Sequence, residues 1–66
     1  MSCAYEIRQM VNGRRPLQVV FRNEDEPLAR SEYARLVEAY PDEYIELIRR
    51  VGLLDDYLAF TVRNAP

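Results

Sequence analysis

A chain of 66 residues makes one domain, 1–66, and a domain of that size buries only about 60% of the surface its unfolded form exposes. One cysteine, Cys3, excludes an intrachain disulfide, and the absence of histidine excludes the usual four-ligand zinc site. Eleven acidic residues against nine arginines and no lysine give a net charge of −2, too weak for a nucleic-acid mimic and of the wrong sign for a typical nucleic-acid binder.

In chain order, Tyr5 to Val11 alternates, with Tyr5, Ile7 and Val11 on one side and Glu6, Arg8 and Met10 on the other. Period two with β-branched residues predicts a half-buried strand. Asn12-Gly13 follows, both tolerant of positive φ, and Arg14, Arg15 and Pro16 extend the loop. Leu17 to Arg22 alternates again, with Leu17, Val19 and Phe21 inward and Gln18, Val20 and Arg22 outward. Two such runs around Asn-Gly predict a β-hairpin.

Asn23-Glu24-Asp25-Glu26-Pro27 has the chemistry of a helix start: capping oxygens, carboxylates at the positive end of the dipole, and a proline tolerated in the first turn. Ala29, Tyr33, Leu36, Val37 and Tyr40 then share one helical face, and Pro41 ends the run, so the spacing predicts a helix from about 25 to 40. The segment 44–51 reads two ways. A strand puts Ile45 and Leu47 on one face and Glu46, Ile48 and Arg50 on the other. A helix gathers Tyr44, Leu47, Ile48 and Val51, pairs Glu46 with Arg50 and caps at Gly52. The strand is preferred, being short and rich in β-formers. Its mate is a strand in which Leu58, Phe60 and Val62 alternate with Tyr57, Ala59, Thr61 and Arg63, joined by a loop over Gly52 to Asp56 that leaves Leu53 and Leu54 in need of cover.

The expected fold is therefore α+β: a small antiparallel sheet in ββαββ order with one helix packed on one face. One helix covers one side of a four-stranded sheet, so the other side meets water or a partner. That open side is expected to carry Met10, Val20, Tyr44, Ile48 and Tyr57 among Glu6, Arg8, Arg22, Glu46 and Arg50, a partly apolar surface suited to binding a protein.

Catalysis finds little support. Nucleophilic chemistry needs a nucleophile beside a base, and Cys3, Ser2 and Ser31 have no histidine to activate them. Tautomerase subunits are of similar length but use an N-terminal proline, and Ser2 stands at that position here. Of the carboxylate groups, Glu24-Asp25-Glu26, Asp42-Glu43 and Asp55-Asp56, none has the spacing of a calcium loop. Gly13 and Gly52 stand apart, so there is no phosphate cradle. No catalytic residue, metal or cofactor is expected.

The leading expectation is a non-enzymatic protein-binding module, an inhibitor or adaptor acting on a larger protein machine. In size and acidity the chain resembles phage-encoded inhibitors of host enzymes such as anti-CRISPR proteins, with no shared motif. That resemblance implies that Glu24, Asp25, Glu26, Asp55 and Asp56 would meet a basic channel on the target. The alternatives are a homodimer packed through the open faces, and a weak single-stranded nucleic-acid binder using arginine and tyrosine on the sheet. A lone thiol and apolar runs only a few residues long point to a cytoplasmic protein with no membrane span.

Overall fold

A computed structural model describes residues 3–61, and their order is ββαββ. Strand β1 is Cys3–Gln9, β2 Gln18–Asn23, helix α1 Glu26–Ala39, β3 Ile45–Val51 and β4 Leu54–Phe60. The strands form one antiparallel sheet in the order β2-β1-β3-β4. Segment 45–51 is thus a strand, as preferred from its sequence, and its predicted mate lies beside it.

The β1–β2 hairpin turns where Asn-Gly predicts. Asn12 and Gly13 take φ of 56° and 68°, and a short 3-10 turn spans Val11–Gly13. Glu43 ties this loop to the end of α1, accepting from the Asn12 amide at 3.2 Å and from the Gln9 side chain. The helix begins on Asp25, whose carboxylate accepts from the Leu28 N–H at 3.2 Å, while Asn23 Oδ1 accepts from the Asp25 N–H at 2.8 Å. It ends at Tyr40, immediately before Pro41.

Topology decides what the helix can cover. Strands β2 and β3 each run antiparallel to β1, so they are parallel to one another and need a crossover. Helix α1 is that crossover. It packs on β1, β2 and β3, and its Ala29 and Leu36 meet Tyr5, Ile7, Ile45 and Leu47 in the core, with Tyr33, Val37 and Phe21 alongside. Strand β4 is added outside the crossover as an edge, and none of its residues is fully buried.

Two bulges change the expected alternation. On β2, Ile7 opposes Phe21 but Arg8 opposes Val19, so Val20 is the extra residue and Val19 stands exposed on the open side instead of inward. On β4, Ile48 opposes Tyr57 but Leu47 opposes Ala59. Leu58 is therefore the extra residue there, and both Leu58 and Ala59 reach the core while Phe60 turns out. The β3–β4 loop is also tighter than expected. Leu54 pairs with Val51, leaving only Gly52 and Leu53 in the turn, with positive φ (63°) at Gly52 alone, the pattern of a type II′ hairpin. Tyr40, expected on the buried helix face, is exposed, and Val62 and Arg63 lie outside the described residues.

Candidate functional site

Directly opposed residues share a face, so the pairing register builds the open side row by row. One row runs Arg22, Glu6, Ile48, Tyr57; the next runs Val19, Arg8, Glu46, Phe60; a third holds Ala4, Arg50 and Asp55. Ile48 is fully buried although no helix lies above it, and Glu6 and Glu46 are only 3% and 2% exposed. The neighbours of Ile48 on that side are the charged Glu6, Glu46 and Arg50, with Tyr57 opposite on β4.

The charged side chains form a continuous chain of ion pairs. Arg22 and Arg50 reach Glu6 at 3.4 and 3.6 Å, Arg50 also holds Asp55 at 3.0 Å, and Asp55 lies 3.8 Å from Arg8. Arg8 pairs with Glu46 at 2.6 Å, donates to the Tyr57 hydroxyl at 3.3 Å and sits 5.9 Å from the Tyr57 ring centre. The Tyr44 hydroxyl donates to Glu46 at 2.8 Å. Burial, and then this bond to a carboxylate, push the Tyr44 phenol up to about 12. Burial, the largest single influence, pulls the Arg8 guanidinium down, but the bond to Glu46 together with the charges of Glu46, Tyr57 and Asp55 holds it above its ordinary value. Three arginines and three carboxylates leave the network without net charge.

The residues expected to form an apolar binding face therefore occupy different settings. Ile48 lies beneath the network, and Tyr44 is half-buried and bonded into it. Met10 is buried at the end of the sheet, where with Arg15, Pro16 and Leu17 it lines a hollow of about 510 Å³. Val20 and Tyr57 remain exposed, at opposite edges of the sheet. The expected acidic set is largely engaged within the chain. Asp25 caps α1; Glu26 accepts from the Tyr5 hydroxyl at 3.0 Å and pairs with Arg30 at 2.8 Å; Asp55 and Asp56 hold Arg50 and Arg49 at 3.0 and 2.5 Å. The bonds from Arg30 and then Tyr5 hold the Glu26 carboxyl below its ordinary value. Glu24 is exposed.

The chain matches no protein-family model, no curated protein and no solved structure. Its own surface must carry the functional argument. Among the described residues no group of acidic or cysteine side chains could hold a metal, and no helix is long and apolar enough to cross a membrane.

Exposed large apolar side chains are concentrated on β4 and its turn. Leu53 is 97% exposed, Leu54 76%, Tyr57 57% and Phe60 49%. All four lie within eight consecutive residues (53–60), Leu53 in the turn and the others on β4, whose outer edge is unpaired among the described residues. Sequence reasoning marked Leu53 and Leu54 as needing cover but placed them in a loop, and so missed the edge. The signal was available: Gly52 set two residues before Leu54 suits a two-residue hairpin, which starts β4 earlier.

Proposed function

We propose that this protein is a non-enzymatic protein-binding module, an adaptor or inhibitor working in the cytoplasm, that engages its partner through strand β4 and the Gly52-Leu53 turn. The observation that carries this reading is the run of exposed apolar side chains on an unpaired edge strand. Four large apolar residues in one short segment exceed the scattered exposure normal for a surface, and marks of this kind belong to interaction sites. A free edge adds a row of backbone N–H and C=O groups that a partner strand can satisfy, with side-chain pockets supplying selectivity.

The electroneutral open face favours this reading over nucleic-acid binding. Arg8, Arg22 and Arg50 are each committed to a carboxylate of the chain, so a polyanion gains only by breaking those pairs. The lack of a histidine, a metal-ligand group or an activated nucleophile among the described residues gives no support to an enzymatic reading.

Affinity capture tests it. The protein and a Leu53→Glu/Leu54→Glu variant, both shown to be folded by circular dichroism, are used as bait in extract of the source cell. A protein partner retained by the first and lost by the second is the expected result. A partner retained equally by both, or none retained by either, contradicts the reading.

A further inference from the structure

We infer that the occupant of the β4 edge is β4 of a second copy, paired antiparallel about a two-fold axis at Tyr57 to make one eight-stranded sheet. This rests on the reading of β4 as the binding edge and names its partner.

Charge is the first argument. Natural edge strands are commonly guarded by outward charges that repel a copy. Strand β4 carries two carboxylates, and both are folded back onto arginines of β3: Asp55 onto Arg50 at 3.0 Å and Asp56 onto Arg49 at 2.5 Å. The edge is left neutral and apolar. Asp56 is still 61% exposed, but each carboxylate is balanced by its arginine, so the edge has no net charge to repel an identical strand or to attract a basic or acidic peptide. The opposite edge differs: β2 carries Arg22, two-thirds exposed and held to Glu6 only at 3.4 Å, and ends at the acidic helix start.

Register is the second. Tyr57 is the midpoint of Leu54–Phe60, so a two-fold axis there pairs the strand with itself over its whole length. Leu58 is the extra residue of the bulge, so with opposed residues sharing a face Asp56 opposes Ala59 of the second copy, Asp55 opposes Phe60 and Leu54 opposes Thr61. No carboxylate faces another. Sliding the axis to Asp56 or Asp55 sets that aspartate against itself, which is unfavourable, and either slide also shortens the pairing. The full-length register and the charge-compatible register coincide.

Size is the third. A chain of 66 residues with no disulfide has little stability to spare, and a second copy is the partner always present at equal concentration. A single strand edge lies at the small end of stable interfaces, so the dimer is expected to be weak and reversible.

Light scattering on the unmodified protein from about 5 µM to about 1 mM reads the mass, and engineered thiols read the register. In a Cys3→Ser background, Tyr57→Cys on β4 and Val19→Cys on β2 are oxidised at a concentration where the dimer forms. The expected results are a doubling of mass with concentration, covalent dimer from Tyr57→Cys and little from Val19→Cys, and at least a tenfold weakening of association by Phe60→Glu, which would face Asp55 of the second copy. A mass that stays monomeric throughout overturns the inference. So does a dimer that links through position 19 and not 57. Monomeric behaviour together with a different protein lost on Leu53→Glu/Leu54→Glu overturns only the second copy and leaves the β4 edge as the binding site. Monomeric behaviour with no such loss removes both.

Discussion

Strands β3 and β4 are two halves of one hairpin, seven residues each, and their surroundings could hardly differ more. In β3, Ile45, Glu46, Leu47 and Ile48 are buried on both faces of the sheet; in β4, no residue is. The difference does not come from composition, since both segments mix apolar and charged residues. It comes from connectivity. Because α1 must travel from the end of β2 to the start of β3, it lies over the strands between those points and leaves out the one that follows. A strand appended after a crossover inherits a neighbour on one side only.

That contrast can be broken or sharpened by substitution. Leu47→Ala removes a fully buried side chain between α1 and the sheet and should cost about 2–5 kcal/mol in urea denaturation. The matching change on β4, Leu54→Ala, should stay within about 0.5 kcal/mol. Equal losses at the two sites would mean that β4 is as buried as β3 in solution.

The open side of β3 offers the next test. Glu46→Ala strips a 2%-exposed carboxylate from Arg8 and from the Tyr44 hydroxyl, leaving the hydroxyl without its acceptor and Arg8 with only Tyr57 and the more distant Asp55. Arg8 can still turn toward water, which limits the loss to about 1–3 kcal/mol. A neutral outcome would show that these contacts to Glu46 do not stabilise the fold. Burial of the Tyr44 phenol, and then the same contact, make stability fall at high pH. Tyr44 titrates near 10 when unfolded and at about 12 when folded. The folded state therefore holds its proton longer. The stability contributed by the neutral phenol is complete below pH 10 and is lost as pH rises from about 10 to about 12. Tyr44→Phe should flatten that part of a denaturation-against-pH profile.

The turn joining the two strands offers a further test. A methyl group at Gly52 would meet nothing within 4 Å, so Gly52→Ala bears only the backbone cost of positive φ in a type II′ turn, about 1–3 kcal/mol. A larger loss would mean that the turn also sets the position of Leu53 and Leu54.

Much of this architecture is legible in the sequence, for reasons that particular residues make clear. Asn12-Gly13 and the Asn23 to Pro27 segment act locally, through φ preference and capping, and the hairpin and helix stand where those residues put them. The alternation of Ile45 and Leu47 against Glu46 and Ile48 correctly assigns the two faces of β3. What local pattern does not contain is the lateral order of strands. Without the order β2-β1-β3-β4 there is no way to tell that Glu6, Arg22 and Arg50 converge, or that Ile48 is enclosed while Tyr57, its neighbour in the same row, is open. Bulges are the other hidden element. The extra residue at Val20 sends Val19 outward, and the one at Leu58 puts Leu58 and Ala59 inward together; neither is marked by a glycine or proline.

The most direct test of the central claim, that β4 is the edge through which this protein associates, is amide hydrogen exchange on the unmodified chain at low and high concentration. Raising the concentration should slow exchange within residues 54–60 and leave the other free edge, residues 18–23, unchanged. Slowing at residues 18–23, or no slowing at either edge once the mass has doubled, would contradict it.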